Sequence, residues 1–175
     1  MCQICDNDYN GLQYLKIKHC QNINEIPNID GLRRLEIINC QNISKIPNIN
    51  GLQLLYINNC QNISEIPYIN GLQKLYIHNC PNISEISYIN ILQVLFILNC
   101  PNISEIPNIN GLHTLWINNK EIDTRKYYFQ VKIKKWYKRF KFLKSKKYKT
   151  LWKIAKYYTM RKYHPDSILK YVELD

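Results

Sequence analysis

The twenty residues from Gly51 to Asn70, GLQLLYINNCQNISEIPYIN, decide how the rest of the chain is read. Leu55, Tyr56 and Ile57 alternate with the period of two that sends successive side chains to opposite faces of a strand. Leu55 and Ile57 take the buried face, and Tyr56 takes the other. Asn59-Cys60-Gln61-Asn62 has no strand character and reads as a turn. Ile66-Pro67 follows, and proline excludes a helix interior there because it lacks the N–H and clashes with the preceding turn. With about five residues in the strand, too few remain for a substantial helix. The return arm is therefore extended, polyproline-like or a short 3-10 turn.

The unit recurs with a 20-residue period and no insertion from about Asn10 to Asn119. Full copies begin at Gly11, Gly31, Gly51, Gly71 and Ile91, and a truncated sixth begins at Gly111. Leu52, Leu55, Ile57, Ile63, Ile66 and Ile69 have equivalents in every full copy. All five glycines share one column, a choice that positive φ or a close backbone approach explains. Ile91 breaks that column and Ser87 replaces the usual proline, so the chain is locally irregular there. Ordering a chain costs about 1–2 kcal/mol per residue, which one repeat, open to water on both sides, cannot offset with six aliphatics. Neighbouring repeats must cover each other. A one-dimensional solenoid follows, with six parallel strands near Leu15, Leu35, Leu55, Leu75, Leu95 and Leu115.

Leu52 to Ile63 spells L-x-x-L-x-I-x-x-C-x-x-I, which resembles the leucine-rich-repeat signature in the variant with Cys at the Asn/Cys position. Ile66-Pro67 resembles the Leu-Pro segment of short bacterial-type repeats. The match spans residues 10–119. The resemblance implies an α/β-type repeat solenoid, with a curved parallel sheet on the concave side and extended or 3-10 arms on the convex side. It also implies recognition of a protein partner through the variable residues of that sheet. The uniform Asn- and Ile-rich repeats, followed by a basic Lys-, Tyr- and Trp-rich ending, further resemble the leucine-rich-repeat proteins of giant amoeba-infecting DNA viruses.

Charge divides the chain at the end of the repeats. Residues 1–119 carry six Lys or Arg against eight Asp or Glu, and residues 120–175 carry eighteen against five, for a net +11 overall. The organisation read from this is a lead-in over 1–9, a solenoid over 10–122 and a basic helical cap or tail over 123–175. In the tail, Trp136, Phe140 and Leu143 share one face of an amphipathic helix over 124–145. A second helix is expected over 150–162, with Leu151, Ala155 and Tyr158 on one face, and a third over 165–172 with Pro165 in its first turn. The first helix is expected to cap the open end of the solenoid. Contact with nucleic acid or an acidic surface is compatible with that role, with Lys134, Lys135, Lys138, Arg139 and Lys141 as the anion-binding candidates. No recognised nucleic-acid motif accompanies them. No apolar run is long enough to cross a membrane. The start, MCQICDNDYN, has acidic residues and no apolar core, unlike a signal peptide. A monomeric intracellular protein with reduced thiols is expected, in the host cytoplasm if viral, with the nucleus as an alternative.

Residue types that carry chemistry fall into structural columns. Cys20, Cys40, Cys60, Cys80 and Cys100 would stack about 4.7–5 Å apart, wider than a disulfide's usual Cβ separation, so a buried thiol ladder bonded to turn backbone is expected. Cys2 and Cys5 form a single C-x-x-C with no second pair, which does not make a metal site. The sequons at Asn42, Asn62, Asn82 and Asn102 also share a column and read as an asparagine ladder inside the turns. His19, His78, His113 and His164 have no common spacing. No nucleophile, phosphate-loop or metalloprotease motif is present, so neither catalysis nor a cofactor is expected.

The column midway along each strand, opposite the core, runs Lys16, Glu36, Tyr56, Tyr76, Phe96, Trp116. Its aromatic part, widened by Leu54, Val94 and Leu98, is the candidate surface for a protein partner. Cover by the chain's own tail, or a purely structural ladder, are the other uses open to it. Glu65, Glu85 and Glu105 stack as like charges and read as a solvated face.

Overall fold

A computed structural model describes residues 4, 5, 9, 11–124, 127 and 128. The chain forms two compact units, Met1–Tyr127 and Tyr128–Asp175. Apart from Thr124, Tyr127 and Tyr128, the expected tail helices lie outside the described residues, as do the five anion-binding candidates from Lys134 to Lys141. Thr124, Tyr127 and Tyr128 are helical.

Among the described residues of the first unit nine strands occur: β1 (Tyr14–Lys18), β2 (Arg34–Ile38), β3 (Leu54–Asn58), β4 (Glu65–Ile66), β5 (Lys74–His78), β6 (Glu85–Ile86), β7 (Val94–Leu98), β8 (Thr114–Ile117) and β9 (Lys120–Glu121). The six long strands pair in parallel, in the order β1-β2-β3-β5-β7-β8. Their register follows the repeat, so Leu15, Leu35, Leu55, Leu75, Leu95 and Leu115 form one row. This is a parallel-sheet repeat solenoid, the architecture that the leucine-rich-repeat resemblance implies. One sheet face is sealed: Leu52, Leu55, Ile57, Ile63, Ile66 and Ile69 are all fully buried. The seal loosens at the ends, where Ile23, Ile103 and Ile117 are only half-buried. End repeats have one neighbour to cover them where inner repeats have two.

Return arms are extended, and no 3-10 element occurs among the described residues. In two arms Ile66 and Ile86 align in a short second sheet, β4 with β6. Glu25 and Lys45 form a matching bridge. Where Ser87 replaces proline, its N–H donates to the Ile66 carbonyl at 2.9 Å, a bond that proline cannot make.

The six expected strands are all parallel, and β9 is an addition that the repeat does not predict. This strand pairs antiparallel with β8, through a two-residue turn in which Asn118 and Asn119 both have positive φ (50° and 63°). That turn conformation matches the twist of paired strands and suits asparagine. Lys120 stands where each earlier repeat has its cysteine, so the inward anchor of the turn is gone and the chain doubles back.

Two columns of left-handed residues turn the chain. Gly11, Gly31, Gly51 and Gly71 have φ of 75–100°, and a Cβ on Gly71 would lie 3.1 Å from Gly51 Cα. Both explanations for the glycine column hold there. Ile91 and Gly111 leave the left-handed region, which places the irregularity read from sequence. The second column is His19, Asn39, Asn59, Asn79 and Asn99, with φ of 51–54°. Asparagine tolerates this region because its short amide bonds locally. Asn59 Nδ2 donates to Asn39 Oδ1 at 2.8 Å, and Asn99 Nδ2 donates to Asn79 Oδ1 at 3.0 Å.

Candidate interaction surface

Strand alternation decides which side chains the solenoid presents. In β3, β5 and β7 the second and fourth residues are buried while the first, third and fifth are not. Register then lines the outward residues up across the strands. Glu36, Tyr56, Tyr76, Phe96 and Trp116 are successive partners in one row. Ring centroids are 6.3 Å apart for Tyr56 and Tyr76, 6.3 Å for Tyr76 and Phe96, and 5.9 Å for Phe96 and Trp116. The last pair is stacked, with planes 14° apart. All four rings are half-exposed, as are Leu54, Val94 and Leu98 beside them. The sequence reading thus brings every residue of the candidate strip onto one face.

His78 belongs to this strip, although spacing alone gave no reason to include it. Its ring lies 5.3 Å from Tyr56 and 5.1 Å from Phe96. Burial lowers its pKa, and Nε2 has no hydrogen-bond partner among the described residues. The imidazole is therefore neutral near pH 7 and acts as a fifth ring. Its place at the outward end of β5, diagonal to both neighbours, is a two-dimensional fact that a linear repeat conceals.

Toward β1 the same row changes character. Glu36, expected on the exposed face, is buried at 6% exposure. Arg34 Nε donates to its carboxylate at 2.9 Å, and Lys16 Nζ lies 3.1 Å from the other oxygen. Arg34 also stands over the Tyr14 ring, 5.2 Å from its centroid. Burial works to raise the Glu36 pKa, but the hydrogen bonds from Arg34 and Lys16 outweigh it and hold the carboxyl below its ordinary value. Arg34 and Lys16 are correspondingly raised by Glu36. Two long cationic side chains folded over one carboxylate account for its burial.

The other columns are structural. Cys40, Cys60, Cys80 and Cys100 donate to the carbonyls of Ile38, Asn58, His78 and Leu98 at 3.1–3.4 Å. Burial pushes the Cys60 thiol up to about 11 and the Cys80 thiol up to about 12. Such thiols are poor nucleophiles, since the thiolate is the reactive form. Cys5 approaches Cys20, with the two sulfurs 3.3 Å apart. Among the described residues no group of three metal-ligating side chains assembles. Asn42 Nδ2 donates to the Gln21 carbonyl at 2.6 Å and Asn82 Nδ2 to the Gln61 carbonyl at 2.7 Å, bridging successive turns. Glu65, Glu85 and Glu105 are exposed on the return arms.

Comparison with protein-family models, curated proteins and solved structures finds no match. No helix among the described residues is long and apolar enough to cross a membrane.

Proposed function

We propose that this chain is a non-catalytic interaction scaffold of the leucine-rich-repeat kind, and that a protein partner docks on the outward face of its main sheet. The observation that carries this reading is the row Tyr56, Tyr76, Phe96 and Trp116, half-exposed and flanked by Leu54, Val94 and Leu98. Aromatic side chains supply large, rigid apolar surface, and part of each ring here stays open to solvent. A contiguous apolar strip of this kind on a strand face marks a binding face. The fully buried aliphatic rows on the opposite side already supply the core, so folding does not require large rings here.

Affinity capture from cell lysate with the full chain tests it. Tyr76→Ala with Phe96→Ala should abolish capture of the principal partner, while Glu85→Ala with Glu105→Ala, on the return arms, should leave it unchanged. Undiminished capture by the ring variant would contradict the reading.

A second reading rests on charge. Residues 120–175 carry eighteen Lys or Arg against five Asp or Glu, which suits an anionic polymer. Binding of that kind should fall steeply with salt, as counterion release requires, and should ignore Tyr76 and Phe96.

A further inference from the structure

The net charge of the repeats hides how their charges are sorted. Residues 1–119 hold more acids than bases, yet four of the six bases stand on the outward face, while Lys45 pairs with Glu25 on the return arms. Lys16, Lys18, Arg34 and Lys74 are exposed at outward positions of β1, β2 and β5. Glu36, the acid of the outward row within the six parallel strands, is buried and already engaged by Arg34 and Lys16, and exposed Glu121 of β9 stands opposite Trp116 at the far edge. Glu25, Glu65, Glu85 and Glu105 are exposed on the return arms instead. The outward face is therefore cationic over β1 and β2 and mostly apolar from β3 to β8, with Lys74 the cation set among the apolar residues.

We infer that the partner presents an extended peptide with acidic residues at one end and apolar or aromatic residues at the other, laid across the strands with its acidic end over β1 and β2. This rests on the outward-face reading above and adds the chemistry of what binds there. Charge complementarity fixes the acidic end. Ring spacing supports the extended form: neighbouring rings are 5.9–6.3 Å apart, close to the roughly 6.6–6.8 Å between alternate residues of a strand. A chain crossing the sheet can thus set alternate side chains against successive rings of the row. Burial keeps His78 uncharged near pH 7, so the apolar end contains no cation at that position.

Single-stranded nucleic acid is also anionic and also packs on aromatics, but the ring geometry disfavours it. A base inserted between two rings needs about 6.8 Å, twice the 3.4 Å stacking rise. Phe96 and Trp116 stand 5.9 Å apart and already stack on each other. Their facing surfaces are occupied by each other, which leaves no slot for a base between them.

The test is selection from a random twelve-residue peptide display library on the full chain, followed by fluorescence anisotropy of the selected peptides. Three proteins are compared: wild type, Lys18→Glu with Lys74→Glu, and Tyr76→Ala with Phe96→Ala. The charge pair spares Lys16 and Arg34, which hold Glu36. Selected peptides should carry Asp or Glu toward one end and Trp, Phe, Leu or Ile toward the other. Each double variant should weaken them by about tenfold or more, and only the loss from charge reversal should shrink as salt rises. Peptides without acids, lost with the rings but indifferent to charge reversal, would overturn the inference while leaving the outward face as the binding site. No binder, or binders that neither variant affects, would remove the outward-face reading itself. An oligothymidylate probe that binds more tightly than any peptide and is lost in both variants would put nucleic acid in the peptide's place.

Discussion

Replacing Leu75 by alanine probes the solenoid at its centre. Leu75 is fully buried in β5, and its row partners Leu55 and Leu95 are fully buried as well. Removing three carbons forfeits about 0.8 kcal/mol of transfer free energy for each. The space left behind cannot collapse easily, because hydrogen-bonded ladders on both sides hold the flanking rows in register. A cavity term therefore adds to the transfer term, and the loss should fall in the upper part of the range for such sites, about 3–5 kcal/mol. Lys74→Ala, one residue away on the opposite face and exposed, should stay within about 0.5 kcal/mol. Urea unfolding followed by circular dichroism measures both. Equal losses for the two substitutions, or a loss below about 1 kcal/mol for Leu75→Ala, would refute the assignment of inner and outer faces.

Four further outcomes follow from the cysteine and asparagine columns and from His78. Native protein at pH 8 should leave Cys60 and Cys80 unmodified by iodoacetamide, since burial pushes their thiols up to about 11 and about 12; mass spectrometry that finds them labelled as fast as in urea would contradict this. Because those values are raised on folding, their contribution to stability is complete below the unfolded thiol range near 8.5 and should be lost as pH rises toward 11–12. Asn79→Val should cost about 1–3 kcal/mol, because a β-branched residue is strained at φ 51°, whereas Asn79→Gly should cost less; the reverse order in thermal melts would be inconsistent with a left-handed turn. Burial lowers the His78 pKa, so stability should be present above about pH 6.5 and fall as acid charges the folded imidazole, and this dependence should flatten in His78→Leu.

The solenoid was legible in the sequence because every full repeat restates the same inward set. Leu52, Leu55, Ile57, Ile63, Ile66 and Ile69 leave one consistent way to bury apolar surface, and all six are sealed. The aromatic row followed from strand alternation alone. Features that depend on neighbours in two dimensions were not legible. His78 joins the rings diagonally from another row, and Glu36 is buried because Lys16, twenty residues earlier, and Arg34 close over it. The antiparallel β9 was missed because the repeat ends there and periodicity no longer constrains the path. Asn118-Asn119 was the local signal for it, as a two-residue asparagine turn before a polar segment. The left-handed asparagines were masked in a similar way, since Asn fills several columns and in the full repeats only the one before the cysteine has positive φ.

Ring contacts in solution test the central claim most directly, that strands stack at the repeat offset and turn their aromatic row away from the core. Nuclear Overhauser spectra of the full chain should link the ring protons of Tyr56 to Tyr76, Tyr76 to Phe96, and Phe96 to Trp116, matching centroid separations of 5.9–6.3 Å. A one-residue slip in register would send the rings to the other face of the sheet. Strong contacts from these rings to the methyl groups of Ile63 and Ile83, both fully buried in the core, would contradict the account.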